Sequence, residues 1–383
     1  MERTPRLEIY SDRIRTNAVT IAELCHRHKA QLAAVTKVVD AYPAVAKAMV
    51  EAGADMLADS RLANLWMLRE HGLSGPFLLL RLPTISEAWE VVQAADYTLN
   101  SGLPTMQALS NAALTLGLHH RVIVMVDIGD LREGVWPDRA VELVKAAKEL
   151  PNLEIAGLGC NLACYGGVIP SPENMRKLIE IRDLCRRETG LALDLLSGGN
   201  SSGLPLLASG NMPPEINHFR VGEAIVLGRN VIDRSPFPGT RQDTFIAVGE
   251  IIEVERKPSI PIGDRGQNAF GENVAFVDRG VRTRAICNLG RQDVVVDGVT
   301  PIDPGIIVLG GSSDHLLLDV EQAAKPLKVG DTVGFYPGYG ALLALSTSPY
   351  VRKQVKSELP YSPSSREFAS FQEILQRRFS KTQ

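Results

Sequence analysis

A chain of 383 residues, 45% of them hydrophobic, is long enough to bury a large core and comfortable for two domains. The formal net charge is −3 and the basic residues are scattered, with no run longer than pairs such as Arg186-Arg187 or Arg377-Arg378. That excludes an electrostatic footprint for nucleic acid or for an anionic membrane surface.

In chain order, the charged N-terminus lacks the apolar h-region of a secretory signal. No run approaches the roughly 18 apolar residues that span a bilayer. Residues 31–36, 54–58, 77–81, 96–100, 121–127, 153–159, 192–197 and 215–220 are short apolar runs. Segments of helical period separate them: Ala44, Val45, Ala48 and Met49 share one face, as do Leu178, Ile181, Leu184 and Cys185. Pro43, Pro104 and Pro172 fall where a first helical turn tolerates a missing N–H. Eight strand–helix alternations predict a (β/α)8 TIM-type barrel over residues 11–235. An open doubly wound sheet would want a Gly-rich turn after its first strand, and Thr36-Lys37-Val38-Val39 is not one. From about Arg241 the texture becomes alternating and valine-rich, with runs at 245–255, 281–288, 293–297, 306–309, 315–320 and 332–336. A mostly antiparallel β domain is expected there, over residues 236–383 with an N-terminal strand in residues 1–10. The tail from Ser362 to Gln383 reads as a surface helix. The five cysteines are odd in number and widely spread, which predicts free thiols and a reducing, cytoplasmic setting. Cys160 and Cys164 have no further ligand at zinc spacing, so no metal is expected.

The active site of such a barrel lies at the C-terminal ends of its strands. Lys37 follows the first strand, where desolvation would make it a nucleophile or Schiff-base former; a lysine snorkelling to the rim is the alternative. After the fifth strand, Asp127-Ile128-Gly129-Asp130-Leu131-Arg132-Glu133-Gly134 presents an arginine suited to a substrate carboxylate. After the seventh, Ser197-Gly198-Gly199-Asn200-Ser201-Ser202-Gly203 offers backbone N–H groups and hydroxyls to an anion, or is a plain flexible loop. The eighth ends in Phe219-Arg220-Val221-Gly222-Glu223, a second inward arginine. A covalent-lysine candidate, a phosphate cup and two arginines together suggest pyridoxal 5′-phosphate (PLP).

At these residues the chain resembles the alanine racemase superfamily of fold-type III PLP enzymes, over nearly its whole length. The likeness is closest to the alanine/ornithine racemase branch, through Ala34-Val35-Thr36-Lys37-Val38, Leu57-Ala58-Asp59-Ser60-Arg61-Leu62, Arg291-Gln292-Asp293-Val294 and Gly311-Ser312-Ser313-Asp314-His315. The resemblance implies that Lys37 carries the cofactor and is one of two proton carriers. It implies that Asn200, Ser201, Gly222, Glu223 and Tyr339 surround the cofactor, and that Arg220 faces the pyridine nitrogen. It implies that Arg132 and Asn161 face the substrate. A guanidinium keeps its proton and can only donate to that nitrogen, so the ring is a weaker electron sink. Quick return of the proton is then favoured over elimination or transamination. The resemblance also implies a homodimer whose partner's C-terminal domain completes each site.

Three positions depart from alanine racemase. Its catalytic tyrosine corresponds to Phe270 of Phe270-Gly271, its modified lysine to Met125, and a histidine to Asn161. The second proton carrier is expected at Asp314 or His315, with Cys164 or Tyr165 as alternatives. The expected substrate is ornithine or another basic amino acid, with Asp314, Asp40 and Glu272 open as partners for its distal ammonium. Two relatives fit less well. A metal-assisted D-amino-acid aldolase or dehydratase carries His-x-Cys or His-x-Asp, whereas His315 precedes Leu316-Leu317. A PLP-binding homeostasis protein is a bare barrel, with no place for the residues after 241.

Overall fold

The computed structural model describes residues 3–356. Strand β1 (Arg6–Tyr10) leads into the helix Ser11–Arg27 and then into eight parallel strands. These are β2 (Gln31–Val35), β3 (Met56–Asp59), β4 (Phe77–Leu79), β5 (Tyr97–Asn100), β6 (His120–Met125), β7 (Leu153–Gly159), β8 (Leu195–Ser197) and β9 (His218–Val221). They form a closed barrel, β2 pairing with both β3 and β9. The expected barrel is present. Most of these strands are apolar almost throughout because both faces are covered, by the barrel interior and by the surrounding helices. Ala33, Val35, Met56, Ala58, Leu78, Leu99, Ile123 and Met125 fill the interior as one cluster.

Pro43, Pro104 and Pro172 stand in the first turns of the helices Pro43–Glu51, Leu103–Leu116 and Pro172–Thr189. In the last of these Leu178, Ile181 and Cys185 are buried as expected, but Leu184 is exposed and Arg182 is buried instead. The stripe follows i, i+3, i+4, i+7, and Leu184 falls outside it.

The second sheet has eight strands, adding β10 (Phe245–Pro258), β11 (Val281–Cys287), β12 (Val299–Pro301), β13 (Ile307–Gly311), β14 (Leu316–Asp319), β15 (Thr332–Pro337) and β16 (Arg352–Lys356) to β1. β1 lies antiparallel to β10 and parallel to β16, so the N-terminus is stitched into the C-terminal sheet. The strand expected at 293–297 is instead a turn and a short 3-10 helix. The Asp293 and Val294 N–H groups both donate to the Gly290 carbonyl, at 2.9 and 3.0 Å. Buried Asp293 accepts from the Ser348 hydroxyl at 3.1 Å, so local and tertiary hydrogen bonds override its strand-like pattern. β12, β16 and the helix Tyr339–Thr347 were not anticipated; that helix packs on the turn Lys37–Val39 and ties the sheet to the barrel mouth. No helix among the described residues is long and apolar enough to cross a membrane. The helix expected from Ser362 to Gln383 lies outside the described residues.

Candidate active site at the barrel mouth

Lys37 follows β2 at the first position of a 3-10 turn, and its orientation starts one residue earlier. Buried Thr36 donates its hydroxyl to Asp59 Oδ2 at 2.7 Å, while Asp59 Oδ1 accepts from the Arg61 N–H at 2.9 Å and from Asn64 Nδ2 at 3.1 Å. Asp59 is fully buried, and burial raises its carboxyl to about 6. The three donors make its carboxylate a fixed post for the β2 terminus. Half-buried Lys37 has its ammonium pKa lowered, first by burial; Cys164 opposes that shift and the charge on Arg132 adds to it. A larger share of the amine is therefore uncharged and nucleophilic at a given pH than for a free lysine.

The loop after β6 is a clasp. The Val135 N–H donates to the Met125 carbonyl at 2.8 Å, and the Asp127 N–H to the Val135 carbonyl at 3.0 Å. Asp127 Oδ1 accepts from the Gly129 and Leu131 N–H groups at 2.9 and 3.2 Å. Gly134 closes the clasp at φ +138°, where an added Cβ would stand 2.3 Å from the Asp127 nitrogen. At the tip Arg132 grips Glu133 with Nε and Nη2, and its Nη1 donates to Cys164 Sγ at 2.6 Å. Asp130, 1% exposed, accepts from the N–H groups of Cys164, Tyr165 and Val168 at 3.2, 2.8 and 3.1 Å. That one carboxylate brings the loop after β7 against the loop after β6.

The loops after β8 and β9 form a small-residue cup. Asn200 Nδ2 donates to Asn161 Oδ1 at 3.0 Å and to the Leu162 carbonyl at 2.9 Å, and its Oδ1 accepts from the Ser202 N–H at 2.7 Å. Ser201 Oγ accepts from the Ala224 N–H at 3.4 Å. A Cβ on Gly222 would lie 3.1 Å from Val35 Cβ, so side chains are kept out where β9 passes β2. Glu223 pairs with Arg234. Arg220 is 4% exposed, and its recorded partners are neutral: the Ser197 hydroxyl and the Cys160 carbonyl, the latter at 2.8 Å. Ser197 Oγ also meets His218 Nδ1 at 2.7 Å, and burial pushes His218 down to about 3, so its ring is neutral. A buried guanidinium without a carboxylate is costly and calls for a further acceptor at the mouth. Tyr339 reaches the mouth from the first turn of the helix Tyr339–Thr347; burial raises its hydroxyl to about 12, and Glu223, Cys164 and Asp59 add to that rise. It is a donor throughout the working range.

Lys37, Arg132, Asn161, Asn200, Ser201, Arg220, Gly222, Glu223 and Tyr339 thus stand on the mouth loops or the helix packed against them. Asp314 and His315 do not join them within the chain. Exposed Asp314 accepts from Gln292, and His315 Nδ1 meets Ser312 Oγ at 3.3 Å, both at the β13–β14 turn. Glu272 is held bidentately by Arg291 at 2.8 and 2.9 Å, with Arg291 also over the Phe270 ring at 4.1 Å. Two participants went unrecognised in the sequence. Glu133 beside Arg132 reads as an ordinary solvated pair, and Asp130 as a loop acid; their partners lie across space or depend on the loop's turn. Among the described residues no three His, Cys, Asp or Glu side chains are placed to hold a metal ion.

Residues 9–230 match the family model described as "Alanine racemase, N-terminal domain". The chain is 40% identical to the lysine racemase of Thermotoga maritima over 349 residues, 91% of this chain and 98% of that protein. It is 41% identical to the ornithine racemase of Acetoanaerobium sticklandii over 352 residues, 92% of this chain and 99% of that one. Among solved structures, alanine racemase from Streptomyces lavendulae superposes with a TM-score of 0.69 at 20% identity, over 94% of this chain and 99% of that one. D-threonine aldolase from Filomicrobium marinum gives 0.70 at 17% identity, over 90% and 88%, which is a likeness of fold. A barrel with a lysine at its mouth, joined to a β sheet and alike end to end with two racemases, places this chain in the alanine racemase family of amino-acid racemases.

Proposed function

We propose that this chain is a PLP-dependent racemase of basic amino acids, ornithine or lysine, acting as a homodimer in the cytoplasm. The observation that carries the cofactor assignment is the buried Arg220 guanidinium, whose hydrogen-bond partners among the described residues are neutral, at the same mouth as the desolvated amine of Lys37. Full-length likeness to the lysine and ornithine racemases supports the substrate class. Residues 11–235 are assigned to cofactor binding, and residues 236–383 with 1–10 to the β domain that contributes Tyr339.

When bound, PLP supplies an electron-withdrawing ring that acidifies the Cα–H of the attached amino acid. Lys37 would hold it covalently through Nζ, with Ser201, the backbone at Gly222 and the Tyr339 hydroxyl as phosphate donors. Arg220 would donate to the pyridine nitrogen, oriented by the Ser197–His218 hydrogen bond behind it. Glu223, committed to Arg234, would act on the cup only through the helix it opens. Arg132 would take the substrate carboxylate, with Asn161 braced by Asn200 nearby.

Inversion needs a proton carrier on each face of the reacting carbon. Lys37 serves one. For the other, the Asp314–His315 turn serves only across a subunit boundary, whereas Cys164 already stands on Arg132 within the chain. The second subunit is supported by the irregular segment 259–280, which presents Ile262 at 88% and Val277 at 68% exposure. Five unpaired cysteines support the reducing compartment.

The deciding experiment incubates the purified protein with PLP and single L-amino acids and follows the enantiomer ratio by chiral chromatography. Ornithine or lysine should approach equal D and L. If no amino acid changes its chirality, the reading is lost.

A further inference from the structure

Arg132 has a carboxylate on it before any substrate arrives. Glu133, its chain neighbour, takes Nε–H and one Nη2–H, and Cys164 Sγ takes a proton of Nη1. Of the five N–H donors of a guanidinium, two remain, one on each Nη. The group is held without being fully occupied. The Glu133 side chain is 13% exposed, and among the described residues its ion-pair partner is Arg132.

Cations dominate the mouth. Lys37, Arg132 and Arg220 converge there, and the carboxylate of Asp59 is already committed to three donors below them. Glu223 is paired with Arg234, and the carboxylate of Asp130 is turned to the backbone N–H groups of the loop after β7. A substrate with a second ammonium would enter beside Lys37 and Arg132, where a carboxylate next to Arg132 would offset their charge. Of the three acids expected to meet that ammonium, Glu272 and Asp314 lie in the C-terminal domain and are occupied by Arg291 and Gln292, while Asp40 ends the turn Lys37–Val39 and its charge bears on Asp59 and Lys353.

We infer that Glu133 is a specificity-determining residue: its carboxylate orients Arg132 for the substrate carboxylate and offsets the cationic mouth for amino acids with a side-chain ammonium. The inference rests on Arg132 being the carboxylate site of the proposed racemase. Because Glu133 acts partly through Arg132, orientation and charge must be separated in the test. Orientation alone affects every amino acid equally; charge affects only those that bring an extra cation.

The holoenzyme, Glu133→Gln and Glu133→Asp are compared on ornithine and on norvaline, which has the same carbon chain without the ammonium. A lost unit charge within several ångströms at a partly wetted site should lower the ornithine-to-norvaline ratio of kcat/KM about tenfold in Glu133→Gln, mainly through the KM for ornithine. Glu133→Asp should recover part of the ratio. Dissociation constants measured by calorimetry on Lys37→Ala protein, where no turnover intervenes, should show the same dependence on position 133. Equal losses on both substrates in Glu133→Gln, or no loss on either, would overturn the inference. Arg132→Ala is run in parallel. If it leaves kcat/KM unchanged for both amino acids, Arg132 is not the carboxylate site and the inference falls with that reading. If Arg132→Ala is damaging while Glu133→Gln keeps the wild-type ratio, only the role of Glu133 is wrong.

Discussion

At the scale of single residues, the second proton carrier is the open chemical question. The charges bearing on Lys37 come from Cys164, Arg132, Asp59 and Glu133. A guanidinium does not give up its proton, Asp59 is held by three donors, and Glu133 is held by Arg132. Of the two alternatives after β7, Tyr165 is 77% exposed, so the Cys164 thiol on Arg132 is the group we propose for the second carrier. Cα–H exchange in D2O, started separately from each enantiomer, tests this. Cys164→Ser should slow exchange from one enantiomer at least about tenfold more than from the other. Asp314→Asn and His315→Asn should leave both rates near wild type. The reverse pattern would hand the role to the β13–β14 turn and require that turn to reach the site from another subunit.

At the scale of elements, one buried carboxylate joins two loops. Asp130 accepts from three backbone N–H groups of the loop after β7, and these hydrogen bonds outweigh burial and hold its carboxyl below the usual range. Asp130→Ala strands those N–H groups and should cost roughly 3 kcal/mol of stability. It should also lower kcat/KM at least about tenfold, because Cys164 loses the backbone anchor that holds it against Arg132. The sign of the pH effect follows from the depressed folded value. The stabilisation is present above the unfolded pKa, about 3.9, and is lost as pH falls through the lower folded value. The Tm gap between wild type and Asp130→Asn should therefore be full at neutral pH and close below about pH 4. A gap independent of pH would mean that the charge on Asp130 does not matter.

At the scale of the whole molecule, the proposed dimer gives a prediction that the single chain does not require. Ile262 and Val277 project from the irregular segment 259–280, and Phe270, Val274 and Phe276 of the same segment are exposed beside them in sequence. Replacing both with aspartate should leave the barrel folded but reduce the molecular mass measured by light scattering to that of one chain. Racemisation should fall with it, at least about tenfold at low protein concentration, if each site is completed by a second copy. A variant that stays dimeric, or a monomer with full activity, would remove this segment from the interface or the second copy from the site.

What the sequence by itself determined was what depends on local period and on position within it. The βα alternation, the prolines at helix starts, and the places of Lys37, Arg132, Ser201 and Arg220 at the barrel mouth all follow from where a strand ends. Parallel strands buried on both faces leave a continuous apolar run, and the residue after the run is at the mouth. Tertiary structure decided the rest, because its causes are distant in sequence. Asp293 left a strand-like pattern for a bond to Ser348, fifty-five residues away. Asp130 found its donors more than thirty residues on, and Glu133 became part of the site only once the clasp turned Arg132 back upon it. A carboxylate in a loop carries no local sign of which cation or N–H it will meet; only the closure of the barrel brings those partners within hydrogen-bonding distance.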